Sequence, residues 1–177
     1  TDIFDNGEYR MLFFEEMPTT NQKLQLERIG VEFLYYLPPN IFVVYLSNNL
    51  STSTLEKYNI ISCNSLLPDY KIDYKLKKKE FPEWAISGEI LHLKLLIFKN
   101  VNIETIVEDL KSHCESINEV NDLSNSVTVS INKTKLNLLS ELEYISYIEP
   151  IDPPATKEND LGRTLHRTNV IDTEYNT

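Results

Sequence analysis

Residues 90–112 read ILHLKLLIFKNVNIETIVEDLKS, and this stretch decides the fold. Residues 90–98 form an apolar run broken only by His92 and Lys94, which predicts a β-strand. Beyond that run, Ile103, Ile106, Val107 and Leu110 fall at i, i+3, i+4 and i+7, one stripe of a helix over 103–112. Two strands are expected next, at 116–121 and 126–131, around a tight polar turn at 122–125. In the second of them Val127, Val129 and Ile131 alternate with Ser126, Thr128 and Ser130, as in a strand with one face buried. A helix over 133–141, with Asn132 placed to cap it, and a strand over 144–151 complete the order β-α-β-β-α-β.

The same order is written once more upstream. Residues 9–15 (YRMLFFE) read as a strand, and Met17-Pro18-Thr19-Thr20 break it with capping residues. Leu24 and Ile29, with Leu26 beside them, give 21–30 an apolar side, and Gly30 sits where a helix C-cap belongs. Two further strands come at 31–36 (VEFLYY) and 41–46 (IFVVYL), joined by Leu37-Pro38-Pro39-Asn40. A short helix over 51–58, with Leu55 and Tyr58 facing inward, leads to a fourth strand at 60–67. Corresponding points lie about 83–86 residues apart: Leu12 with Leu95, Val31 with Ile117, Ile41 with Val127, Ile60 with Ile145.

The expected fold is therefore α+β: two tandem ferredoxin-like (β-α-β-β-α-β) modules with antiparallel four-stranded sheets, plus an extended C-terminal tail. The modules span 9–70 and 89–151, a linker spans 71–88, and the tail spans 152–177. Trp84, in the linker, is expected to anchor one module on the other. A sheet covered on one face should alternate cleanly. The strand at 41–46 does not: Ile41, Val43 and Tyr45 on one side oppose Phe42, Val44 and Leu46 on the other. The second face of the first sheet is therefore expected to be buried against the second module or a partner.

Composition removes several function classes. The 177 residues are 41% hydrophobic and 25% charged, a globular balance and not a disordered one. The four glycines (Gly7, Gly30, Gly88, Gly162) never cluster, so no loop can bring consecutive N–H groups onto a phosphate. A net charge of −10 argues against nucleic acid, and the only basic run, Lys77-Lys78-Lys79, reads as a solvated linker. No apolar run reaches the ~18–20 residues that span a bilayer. Cys63 and Cys114 are too few for a disulfide framework; they pair only if the fold brings them together, and otherwise read as apolar thiols.

No catalytic constellation emerges. His92 falls in a strand, His113 near a helix end and His166 in the tail, none beside a nucleophile motif. Neighbours in a helix point about 100° apart, so His113 and Cys114 do not face each other. There is no metal-ligand spacing of the C-x-x-C or H-x-x-x-H kind, and the paired carboxylates Glu15-Glu16 and Glu141/Glu143 read as solvated faces. The chain is expected not to be an enzyme, and no metal or cofactor is implied.

After the last strand the chain changes character. Pro150-Ile151-Asp152-Pro153-Pro154 cannot continue a central strand, and 156–177 has little apolar content and no period. The run Leu142-Glu143-Tyr144-Ile145-Ser146-Tyr147-Ile148-Glu149-Pro150 resembles the close of subtilase propeptides. Gly162-Arg163-Thr164-Leu165-His166-Arg167-Thr168-Asn169-Val170-Ile171 is similar to the junction segment of secreted bacterial subtilases, particularly those of Bacteroidetes type. The resemblance covers essentially the whole chain, with one departure: simple subtilase propeptides have a single module, which leaves open which of the two docks.

The resemblance implies a propeptide that is secreted or periplasmic, assists folding of a cognate subtilisin-like catalytic domain, and inhibits it. The tail would run extended through the substrate cleft and add a strand to its edge. If the precursor is cut after Thr177, Glu174, Tyr175, Asn176 and Thr177 occupy the four non-prime subsites; the alternative is that Thr177 marks no processing site. Arg163, His166, Arg167 and Asn169 belong to the junction motif, where the basic residues either pair with acids or are solvated. A competing reading is a tandem ferredoxin-like regulatory module that binds a small ligand between its sheets.

Overall fold

The computed structural model describes residues 7–154, which fold as an α+β protein with two antiparallel sheets. The first sheet contains β1 (Glu8–Phe14), β2 (Val31–Leu37), β3 (Ile41–Leu46) and β4 (Ile60–Ser65) in the spatial order β2-β3-β1-β4. Helices α1 (Thr20–Glu27) and α2 (Thr52–Lys57) provide the connections. A capping box opens α1: the Thr19 hydroxyl accepts from Gln22 N–H while the Gln22 side chain accepts from Thr19 N–H. Gly30 ends it at φ +96, a conformation that disfavours any side chain. Of the three apolar residues expected to face inward from this helix, only Leu26 is buried; Leu24 and Ile29 are exposed.

The second sheet is built from β6 (Ile90–Ile97), β7 (Ser116–Asn121), β8 (Ser126–Asn132) and β9 (Ile145–Pro150). Here β9 pairs with β6, β6 with β8 and β8 with β7, so the first, second, third and fourth strands stand as they do in the first sheet. The connections are α4 (Ile103–His113) and α5 (Leu136–Glu141), the latter preceded by a 3-10 turn at Lys133–Lys135. Asn132 caps that turn as expected, its side-chain oxygen accepting from Thr134 N–H.

This sheet differs from the expected four strands by a fifth, β5 (Ile86–Ser87), paired with the start of β6. The reason is the two-residue turn Gly88-Glu89, with Gly88 at φ +63, which folds 86–87 back onto 90–91. Residues 71–88 are thus not a bare connection. Lys71, Ile72, Leu76 and Ala85 are buried, a short helix α3 (Tyr74–Lys77) forms, and Ile72 bridges in parallel to Ile148 on β9. Lys77, Lys78 and Lys79 are exposed, as a solvated run should be.

Each sheet covers one face with its own helices. Leu12, Phe14, Val31, Phe42, Val44, Leu46 and Ile60 pack with Leu26 and Tyr58 in one cluster. In the second unit Leu93, Leu95, Val127, Val129 and Ile131 pack with Ile106, Leu110 and Leu139. This second cluster also takes in Met11 and Val43 from the first sheet, with Tyr9, Phe13, Tyr35 and Ile41 packed against it. The second face of the first sheet is therefore buried against the second unit, one of the two covers its sequence demanded. Phe98, 1% exposed, makes the join: its ring stacks on Tyr9 at 3.8 Å between centroids and lies 5.9 Å from Tyr35. A bulge in β2 between Phe33 and Tyr35 breaks the alternation, so Tyr35 stands opposite Val43 and faces the second unit.

The polar face of the second sheet

β6 alternates strictly, with Leu91, Leu93, Leu95 and Ile97 buried and Ile90, His92, Lys94 and Leu96 half-buried. The register places His92 opposite Ser130, Lys94 opposite Thr128 and Glu149, and Leu96 opposite Ser126 and Tyr147. These residues share the face turned away from α4 and α5, and none belongs to either apolar cluster. The face is polar and only partly open: Ser126 and Ser130 are buried, and the Lys94 side chain is 16% exposed.

Its polar groups are tied together. His92 Nδ1 lies 2.9 Å from Ser130 Oγ and its Nε2 3.3 Å from Ser87 Oγ. Asn118 Nδ2 donates to Ser130 Oγ at 2.9 Å, and Ser116 Oγ donates to Asn118 Oδ1 at 2.8 Å. The Lys94 ammonium lies 3.8 Å from Glu149 and 3.8 Å from Asp152. No buried side-chain polar atom among the described residues lacks a partner, so this row is a satisfied polar surface and not a strained one.

At the edge of this face the chain leaves the sheet. Ile151 N–H donates to His92 O at 3.2 Å, and the Trp84 indole N–H donates to Ile151 O at 3.0 Å. Trp84 is 46% exposed, and its indole hydrogen bond is to the end of β9, within the second unit. Sequence reasoning missed this role, as it missed Lys94.

The remaining titratable candidates lie apart. His113, at the end of α4, sits 3.7 Å from Asp109, whose carboxylate also accepts from the Tyr144 hydroxyl at 2.6 Å. Burial, reinforced by that carboxylate, raises the Tyr144 phenol well above its usual range. Cys63 and Cys114 are both free, and burial pushes each thiol up, away from the thiolate. Among the described residues no group of three or more His, Cys, Asp or Glu side chains could hold a metal ion, and no helix is long and apolar enough to cross a membrane. Two surface hollows are lined only by first-unit residues, one by Glu27, Val31, Glu32, Phe33 and Tyr45 and the other by Glu8, Leu46 and 47–49. His166, Arg163, Arg167 and Asn169 of the junction motif, and Glu174, Tyr175, Asn176 and Thr177 of the expected cleft-binding tail, lie outside the described residues.

Comparison with known families matches residues 3–67 to one described as a domain of unknown function (DUF8729). The match covers the first unit through β4 and stops short of the second. No curated protein and no solved structure matches the chain.

Proposed function

We propose that this chain is the propeptide of a secreted or periplasmic subtilisin-like serine protease, a binding protein and not an enzyme. It consists of two ferredoxin-like modules, 9–70 and 89–151, with 71–88 packed onto the second and 152–177 serving as an inhibitory tail. The observation that carries the reading is the contrast between the two sheets. The first uses its second face inside the chain, on Phe98 and its neighbours. The second keeps a polar face clear of both apolar clusters, and the chain runs on from β9 at the edge of that face. On this reading the second module docks on the catalytic domain, which answers the question left by the presence of two modules.

The junction motif around Arg163, His166, Arg167 and Asn169 supports the protease partner, and Glu174–Thr177 would fill the cleft as a product does. The small-ligand reading has less behind it, since the two hollows described above are lined by the first unit alone. The test is inhibition of the cognate catalytic domain by the chain with and without residues 172–177. An extended segment of that length makes a few main-chain hydrogen bonds at ~0.5–1.5 kcal/mol each, so its loss should weaken inhibition by about 30- to 1000-fold. The shortened chain should still bind through the second module while peptide substrates regain the cleft. Full inhibition by the shortened chain would refute the product-like tail.

A further inference from the structure

Resting on the propeptide reading above, we propose that Trp84 and the Lys94–Asp152 pair are positioning residues that fix the direction in which the tail leaves the second module. The chain is held at three consecutive points as it passes the sheet edge. The Ile151 amide is bound to His92 O at 3.2 Å, the Ile151 carbonyl accepts from the Trp84 indole at 3.0 Å, and the Asp152 carboxylate lies 3.8 Å from Lys94. Two of these points are not β-ladder bonds. One comes from the 3-10 turn Glu83–Ala85, the other from the polar face of β6.

The arrangement is built from separate parts of the chain. Gly88 turns β5 back onto β6, and Ala85, 1% exposed, seats the turn that carries Trp84. Lys94 also lies 3.8 Å from Glu149, three residues before Asp152, so both carboxylates share its ammonium. Pro153 and Pro154 come at once after Asp152, and their fixed φ narrows the directions open to the chain beyond 152. A tail that leaves in one direction loses less freedom on entering a cleft than one that leaves in any direction.

The experiment uses the full chain carrying Trp84→Phe, which removes only the indole donor, or Asp152→Asn, which removes the charge from an exposed side chain. Dissociation constants are measured for the cognate catalytic domain with its cleft open, and with its cleft filled by a covalent peptidyl chloromethyl ketone. Trp84→Phe should bind the open form about three- to ten-fold more weakly, the worth of one hydrogen bond, and Asp152→Asn about two- to five-fold, the worth of a solvent-screened ion pair, and each should bind the filled form as the unchanged chain does. An equal loss on both forms would mean that Trp84 and Asp152 act on docking or on the fold and not on the tail's direction, and would overturn the inference. No loss on either form would overturn it too. An unchanged chain that binds neither form removes the propeptide reading itself, and this inference with it.

Discussion

Replacing Phe98 by Ala tests whether the two units behave as one folded body. The ring is 1% exposed, stacks on Tyr9 at 3.8 Å with planes 10° apart, and approaches Tyr35. Truncating a buried Phe costs about 3–5 kcal/mol from transfer and cavity terms, and part of that cavity opens directly under the first sheet. The Tyr9 hydroxyl, which donates to Asn100 at 3.0 Å, depends on the same loop for its partner. A loss of about 4 kcal/mol is a large share of the ~5–15 kcal/mol that holds a domain folded. Native-state hydrogen exchange is the assay, read at the amides of Leu12 and Val44 in the first sheet and of Leu93 and Val129 in the second. Coupled units should lose protection together, by about three orders of magnitude at both sets of amides. Unchanged protection at Leu12 and Val44, with a loss at Leu93 and Val129, would refute the coupling.

Lys71 is 5% exposed, its ammonium donates to Leu142 O at 3.0 Å, and burial lowers its pKa from 10.5 to about 8, partly opposed by Glu143. Because the folded pKa lies below the unfolded one, stability should rise with pH between about 8 and 10.5. Lys71→Met should flatten that rise and gain on the order of 2–3 kcal/mol at pH 7, less the bond lost to Leu142 O; urea unfolding across pH 7–11 checks this, and an unchanged slope would count against it. Gly88→Ala meets no atom within 4 Å, so its cost is only the strain of φ +63, roughly 1–2 kcal/mol and visible as a lower urea midpoint.

The repeat was legible because helix and strand periods are local: the stripe Ile103, Ile106, Val107 and Leu110 and the alternation in β8 each announce a buried face. The doubly apolar β3 likewise announced a cover on both sides of the first sheet, and Met11 and Val43 now lie in the second unit's cluster. What escaped is carried by contacts between distant residues or by single departures from a period. Leu24 and Ile29 looked as good as Leu26, yet only Leu26 points at the sheet, since an eight-residue helix has room to bury little. Ile72 is extended and bridges to Ile148 whereas Leu76 sits in the four-residue α3, so their burial follows no single period that this lysine-rich run could show. Ser87-Gly88, just before an alternating strand, is a hairpin signal, and recognising it would have given β5. The partners of Trp84 and Lys94 lie more than fifty residues away, where local pattern has no reach.

The geometry of β6 links these observations. Phe98 follows one end of the strand, where the first unit is attached, whereas His92 lies near the other, where Ile151 leaves. Six residues of strand separate them, about 20 Å at ~3.3 Å per residue. The Phe98 contact therefore sits away from the tail's point of departure, and its effect on inhibition should pass through stability alone. Stability changes at sites this far apart and without shared partners usually add within about 0.5 kcal/mol. Phe98→Ala combined with Trp84→Phe should then show the two separate losses and no more: stability lowered by the first, open-cleft affinity by the second. Measured at a temperature where both chains are folded, Phe98→Ala alone should leave that affinity unchanged. A direct loss of affinity from Phe98→Ala, with the chain still folded, would mean that the first unit helps to shape the docking face across the length of β6.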